Sequence, residues 1–181
     1  MRINNLPNIL TLTRILLLPF FVAAFMYSRY GYALIIFIAG GITDILDGLA
    51  ARLTSQTTAL GSVLDPIADK FTLVTSFVLM SIYGIVPAWI TIVVISRDLI
   101  VITGCLILYF LGHSPKIEPT IFGKASNAAQ FLLIGIALIA INIKNEFIIP
   151  VPLYMLTAFL CAVSGLQYVF RGMKLAHSEN A

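Results

Sequence analysis

Hydrophobic residues occupy six long stretches of this chain, and short polar segments separate them. A helix needs roughly 20 consecutive apolar residues to cross a lipid bilayer, and each stretch is about that long. The stretches are Leu10–Tyr27, Tyr32–Ala51, Val63–Tyr83, Pro87–Leu111, Phe122–Ile141 and Ile149–Phe170. The pattern therefore predicts an all-α fold, a polytopic membrane bundle of about six transmembrane helices.

The composition supports an integral membrane protein. Hydrophobic residues make up 60% of the chain and charged residues 10%, and the mean hydropathy is +1.01. These values lie far from those of soluble globular domains. The connections contain no Gly/Ser linker, no low-complexity run and no space for a soluble domain, and no internal repeat is visible. We therefore expect residues 1–181 to form a single membrane domain.

The net charge of +3 indicates membrane topology and an affinity for anionic lipid surfaces, and we expect no nucleic-acid partner. Positive residues concentrate on the cytoplasmic side of membrane proteins. With the helix order above, Arg29 and Lys144 lie on one side, and both termini lie on the other, cytoplasmic side. The cytoplasmic group is Arg2, Arg52, Lys116, Lys124, Arg171 and Lys174. The first apolar stretch is longer than a signal-peptide core, so we expect it to be retained.

Half of the acidic residues fall within one short segment. The chain has 8 Asp and Glu residues, and Asp44, Asp47, Asp65 and Asp69 are four of them. On two helices joined by a short loop, the spacings of three and four residues place these carboxylates on facing sides. Carboxylates next to lipid are costly, so a function is the better explanation of this cluster.

Four nearby carboxylates repel one another and require a neutralising cation. Oxygen ligands without His or Cys favour Mg²⁺ or Mn²⁺, and such ions commonly share their coordination with substrate phosphates. Gly48, Ala51 and Gly61 would let a ligand approach the backbone, and Arg52 supplies a cation for phosphate. Taken singly, Gly48 and Ala51 are better explained by helix packing, and Arg52 by anchoring at the membrane boundary. The joint spacing with four aspartates is what packing does not explain.

The segment resembles the signature of the CDP-alcohol phosphatidyltransferase family, D-x2-D-G-x2-A-R-x8-G-x3-D-x3-D. Every fixed position of the signature is matched, and the eight-residue spacer Leu53–Leu60 is intact. The matching residues are Asp44, Asp47, Gly48, Ala51, Arg52, Gly61, Asp65 and Asp69. The resemblance extends over nearly the whole chain, because the family core is a bundle of about six helices.

The resemblance implies a metal-dependent transfer of a phosphatidyl group from CDP-diacylglycerol to an alcohol, with release of CMP. It implies a two-metal site of Mg²⁺ or Mn²⁺ at the four aspartates, with Asp69 also acting as the general base. Gly48, Ala51, Arg52 and Gly61 would bind the CDP donor. Members of the family often form homodimers, and the oligomeric state of this chain stays open. We expect the inner or plasma membrane of a bacterium as the location, with the active site facing the cytoplasm.

The acceptor alcohol is decided outside this segment. The run from Asn5 to Arg14 resembles the branch of the family that makes anionic glycerolipids. Arg97 and Lys124 are the candidate acceptor-binding cations. Arg97 and Asp98 are neighbours on a helix, so we expect each to find a separate partner. Cys105 stands where phosphatidylglycerophosphate synthases carry a second Arg.

The missing Arg favours phosphatidylglycerol as acceptor, which gives cardiolipin, because its phosphodiester carries one charge. The alternative acceptor is glycerol 3-phosphate, and inositol or serine are more remote. A small ion transporter is the rival from another class, although its site would be expected near the midplane on repeated helices. Cys105 and Cys161 lack metal-ligand spacing and are expected to pack as small hydrophobic residues.

Overall fold

A computed structural model describes residues 6–54, 61–110, 120–143 and 149–177, with side chains placed for most of them. These residues form six α-helices and no β-strand. The helices are α1 (Leu6–Met26), α2 (Tyr30–Thr54), α3 (Gly61–Ile82), α4 (Ala88–Phe110), α5 (Ile121–Asn142) and α6 (Val151–His177). Each coincides with one of the six apolar stretches, which confirms the predicted all-α class.

Two helices end in the same hydrogen-bonded turn, which requires one residue in the left-handed region. After α1, Arg29 N–H donates to the carbonyl of Ala24, and Ser28 N–H donates to Phe25, with Ser28 at φ 55°. After α3 the turn is repeated around Gly84 at φ 71°. This is the Schellman motif, which satisfies helix-terminal carbonyls and lets the chain reverse direction. The motif therefore pairs three carbonyls at the end of each of these two helices.

The chain divides into two compact units. The first contains the described parts of Met1–Ile85 and Ile134–Ile148, in which α1 packs along both α2 and α3. Its core contains the rings of Phe21, Phe25 and Phe37. The ring centroids of Phe25 and Phe37 lie 6.0 and 6.3 Å from that of Phe21. In this unit α1 is the element in contact with both helices that carry the aspartate segment.

The second unit contains the described parts of Val86–Leu133 and Ile149–Ala181. Here α4 packs against α6, and Trp89 meets Tyr154 edge to face with ring centroids 6.5 Å apart. This unit holds Arg97 and Lys124, the two candidate acceptor-binding residues.

Large apolar side chains are exposed on every one of the six helices, as at Leu16, Ile35, Phe71, Ile92, Leu132 and Phe159. Such a distribution is expected for a protein surrounded by lipid, because soluble proteins rarely expose extended apolar surface. Among the residues searched, Ile121–Asn142 and Val151–Met173 are long and apolar enough to cross a membrane. Shorter apolar helices cover Leu12–Met26 and Tyr30–Asp44.

Candidate active site

Two aspartates of the acidic segment converge on one buried arginine. Arg14 lies on α1 with its side chain 4% exposed, and its Nη1 is 3.0 Å from Oδ1 of Asp44 on α2. The same nitrogen donates to Oδ1 of Asp69 on α3. The carboxylates remain accessible, because the side chain of Asp44 is 49% exposed and that of Asp69 is 41% exposed. The segments predicted to face each other are therefore joined through α1.

The side chain of Arg14 reaches Asp44 past the preceding turn of α2. Gly40 lies one turn before Asp44 on α2, and a Cβ added there would lie 3.9 Å from Cγ of Arg14. The aliphatic part of Arg14 thus passes beside α2 at ordinary van der Waals distance from this position. Next to it, the hydroxyl of Thr43 donates to the carbonyls of Ala39 and Gly40 at 3.0 and 2.8 Å. The polar hydroxyl is thus satisfied within its own helix.

The carboxylate oxygens of Asp44 and Asp69 are donor atoms that suit a divalent cation. Two carboxylate oxygens within hydrogen-bonding distance of one nitrogen are at most about 6 Å apart. That separation suits ligands of a two-metal site, in which the ions are about 3.5–4 Å apart. Hard oxygen donors are the ligands that Mg²⁺ and Mn²⁺ prefer.

The rest of the predicted metal and CDP-donor set lies in the same two helices, but its side chains are outside the described ones. Asp47, Gly48, Ala51 and Arg52 lie in α2, whereas Gly61 begins α3 and Asp65 follows one turn later. Within the part of the chain searched, no three His, Cys, Asp or Glu residues form a group that could hold a metal. The four-aspartate site and the CDP-binding role stay predictions.

Arg97 lies in a buried polar cluster of the second unit. Its Nη1 donates to Oδ1 of Asp98 at 2.7 Å, and Nε and Nη2 donate to the hydroxyl of Ser164 at 3.2 and 2.8 Å. Nη1 is also 3.4 Å from Oδ1 of Asn127, and Cζ lies 5.8 Å from the centroid of the Tyr168 ring. The guanidinium is therefore held by groups from α4, α5 and α6.

The expectation that Arg97 and Asp98 each find a separate partner was wrong. Neighbours on a helix do not face each other. The arginine side chain is long enough, however, to bring its guanidinium back to the next carboxylate. The two side chains, 6% and 5% exposed, form a direct ion pair. The broader expectation that an arginine at this depth needs partners is confirmed.

Glycines and a helix cap shape the surroundings of Arg97. A Cβ added to Gly123 would lie 3.0 Å from Oγ1 of Thr120 and 3.3 Å from Nη2 of Arg97. Thr120 precedes α5, and its hydroxyl accepts a hydrogen bond from the N–H of Gly123 at 2.9 Å, which caps the helix. Lys124 follows with an exposed side chain. The capped first turn of α5 thus carries both a residue that accommodates Arg97 and an accessible cation.

Cys161 is buried, as predicted, but its surroundings are polar. Its Sγ is 3.2 Å from the hydroxyl of Ser126 and accepts a hydrogen bond from Nε2 of Gln130 at 3.2 Å. The thiol therefore helps to satisfy two buried polar side chains, a role that the apolar sequence around it did not reveal. The side chain of Cys105 lies outside those described.

Arg14 is the site residue that the sequence interpretation missed as a functional candidate. It entered only as the end of the run from Asn5, although it lies within the first apolar stretch. An arginine inside a predicted transmembrane helix already calls for an acidic partner. With four aspartates concentrated elsewhere in the chain, that rule could have paired Arg14 with the acidic segment.

The chain is similar to one protein family and to several known proteins over nearly its whole length. The family model for CDP-alcohol phosphatidyltransferases matches residues 4–167. A CDP-diacylglycerol–glycerol-3-phosphate 3-phosphatidyltransferase of Haemophilus influenzae is 39% identical over 172 residues, which cover 91% of each chain. The human CMP-forming cardiolipin synthase is 32% identical over 188 aligned residues, covering 94% of this chain and 62% of the human one. A probable phosphatidylglycerophosphate synthase of Mycobacterium tuberculosis is 32% identical, with coverage of 96% and 84%.

Proposed function

Because this chain belongs to the CDP-alcohol phosphatidyltransferase family, we propose that it transfers a phosphatidyl group from CDP-diacylglycerol to a glycerol-type acceptor and releases CMP. The observation that carries the proposal is the convergence of the Asp44 and Asp69 carboxylates on a single cationic nitrogen. Such a pair of accessible oxygen ligands supports a site for divalent cations next to a phosphate-bearing substrate.

In the proposed reaction, one carboxylate of the acidic segment acts as the general base. Asp69 accepts the proton of the acceptor hydroxyl, and the hydroxyl oxygen forms a bond to the lipid-side phosphorus of CDP-diacylglycerol. The bond from that phosphorus to the oxygen of the CMP group breaks, and CMP leaves with the bonding electrons. No covalent intermediate on the protein is required.

The other residues of the segment bind and orient the donor. Asp44, Asp47, Asp65 and Asp69 would hold two Mg²⁺ or Mn²⁺ ions, whose charge would stabilise the phosphate oxygens and the departing CMP. Gly48, Ala51 and Gly61 would admit the cytidine diphosphate, and Arg52 would contact its phosphates. We propose that all of these residues belong to one domain in a bacterial inner or plasma membrane, with the site facing the cytoplasm.

For the acceptor we propose phosphatidylglycerol, which would make cardiolipin the product. The supporting observation is that Arg97 is already paired with Asp98, whereas the side chain of Lys124 is exposed. One exposed positive charge suits the single negative charge of a phosphodiester better than the two of a phosphate monoester. Arg97 would then hold Asn127 and Ser164 in position for the acceptor.

Glycerol 3-phosphate is the alternative acceptor, and a specific observation favours it. The Haemophilus relative, named as a CDP-diacylglycerol–glycerol-3-phosphate 3-phosphatidyltransferase, matches over 91% of its own length at 39% identity. In that case Lys124, together with Arg97 released from Asp98, would bind the phosphate monoester. Direct comparison of the two acceptors with the same protein distinguishes these proposals.

The proposed base is tested by replacing Asp69 with Asn, which keeps the shape of the side chain but cannot accept the proton. We expect Asp69→Asn to lower CMP release by at least about 100-fold, the usual contribution of a positioned general base. Arg29→Gln is the control, because Arg29 lies in the turn between α1 and α2 and changes the net charge without touching the site. CMP release by Asp69→Asn at the rate of the control would refute the assignment.

A further inference from the structure

Arg14 occupies the position where the proposed function requires a cation. Its guanidinium contributes one nitrogen, Nη1, to the Oδ1 atoms of both Asp44 and Asp69. Arginine can pair with carboxylates through two parallel hydrogen bonds from different nitrogens. Here two carboxylates from different helices share one of its nitrogens, Nη1.

Arg14 differs from the two aspartates in its exposure to solvent. The arginine side chain is 4% exposed, whereas the carboxylates are 49% and 41% exposed. The cation thus approaches the acidic pair from inside the protein, from α1, and the accessible side of the carboxylates stays open to a ligand. A buried arginine is stable only with such acidic partners, because an unpaired charge at this depth is strongly disfavoured.

The packing makes Arg14 a link between three helices. α1 packs along both α2 and α3, Asp44 lies on α2, and Asp69 lies on α3. The aliphatic part of the arginine side chain passes beside Gly40 on α2. Without a positive charge between them, the two carboxylates would repel each other and separate the helices.

We propose that Arg14 is the internal counter-ion of the acidic site, which neutralises Asp44 and Asp69 when no divalent cation is bound. This inference rests on the proposed metal site. Because Arg14 and a divalent cation are both positive and share two ligand oxygens, each weakens the binding of the other to those oxygens. The protein can therefore fold and enter the membrane without metal, and metal binding exchanges one neutralising cation for another. In this role Arg14 is a positioning residue.

The counter-ion role gives a result that a purely structural arginine would not. Replacing Arg14 with Gln removes the charge and retains a polar side chain of similar shape. We expect Arg14→Gln to melt roughly 5 °C below the wild type in EDTA, because both half-exposed carboxylates lose the positive charge of Arg14. Saturating Mn²⁺ should remove at least half of that deficit, since it supplies the missing positive charge.

Metal affinity provides the second measurement. Titration with Mn²⁺, followed by electron paramagnetic resonance of the free ion, should give a dissociation constant about tenfold lower for Arg14→Gln than for the wild type, because a neighbouring positive charge is removed. Arg14→Lys retains the charge and should bind Mn²⁺ with nearly wild-type affinity. Arg29→Gln makes the same change of charge in a turn about 21 Å along α2 from Asp44, and should change neither quantity.

Each result of these two measurements either supports or refutes the counter-ion role of Arg14. An equal melting deficit in EDTA and in Mn²⁺, or unchanged or weaker Mn²⁺ binding by Arg14→Gln, would overturn the counter-ion role. Arg14→Gln that folds only when purified with Mn²⁺ would support it, and failure to fold even then would refute it. If Mn²⁺ neither binds to nor stabilises the wild type, the proposed metal site itself is wrong, which is a separate result.

Discussion

Arg97 shows what a buried charge requires at the scale of a single residue. Its guanidinium contacts Asp98, Ser164 and Asn127, and its Cζ lies near the ring of Tyr168. The need for partners could be predicted from one arginine in an apolar stretch. The identity of the partners could not be predicted, because Asn127 and Ser164 come from helices distant in sequence. The pairing with Asp98 depends on the conformation of a long, flexible side chain.

The ion pair between Arg97 and Asp98 can be measured with a double-mutant cycle. We expect Arg97→Gln to lower the free energy of unfolding by about 3–5 kcal/mol, because it leaves a buried carboxylate without its cation. The double variant Arg97→Gln/Asp98→Asn should be less destabilised than the sum of the single variants by about 1–3 kcal/mol. Denaturant unfolding of the wild type and the three variants gives these values. Additive effects would show that the two charges do not stabilise one another.

At the scale of the helices, the apolar pattern predicted the position of all six, but it did not predict how they end. Predicted and observed bounds agree closely for the stretch at Val63–Tyr83, where the helix is Gly61–Ile82. The turns around Ser28 and Gly84 depend on the left-handed backbone. A glycine near a helix end signals such a turn, whereas a serine does not.

The two turns should respond in opposite directions to substitution. Ser28→Gly is expected to raise the free energy of unfolding by about 0.5–1 kcal/mol, because glycine adopts positive φ without the steric cost that serine bears. Gly84→Ala should lower it by about 1 kcal/mol for the same reason. Thermal or denaturant unfolding provides the measurement.

Gly104→Ala is the matched control for these turns. Gly104 lies within α4, and a Cβ there would meet nothing within 4 Å, so alanine should stabilise the helix by up to about 1 kcal/mol. If Gly84→Ala and Gly104→Ala shifted stability in the same direction, the left-handed turn would not be the cause.

At the scale of the whole molecule, the signature from Asp44 to Asp69 led to the family, and the match over residues 4–167 confirms it. The spacing predicted that the two acidic segments would meet, and Asp44 and Asp69 do so. The part played by Arg14 could not be predicted from that spacing, because it depends on which helix packs against α2 and α3. The acceptor likewise depends on how cations and acids pair in three dimensions, as Arg97 does with Asp98.

The most direct test of the central claim is the reaction itself. The purified protein in lipid nanodiscs is incubated with CDP-diacylglycerol and Mg²⁺, with phosphatidylglycerol or glycerol 3-phosphate as the acceptor, and CMP and the lipid product are quantified by mass spectrometry. We expect equal amounts of CMP and cardiolipin with phosphatidylglycerol, and neither product in EDTA. Turnover with glycerol 3-phosphate alone would refute the proposed acceptor, and no CMP with either acceptor would contradict phosphatidyl transfer to a glycerol-type acceptor.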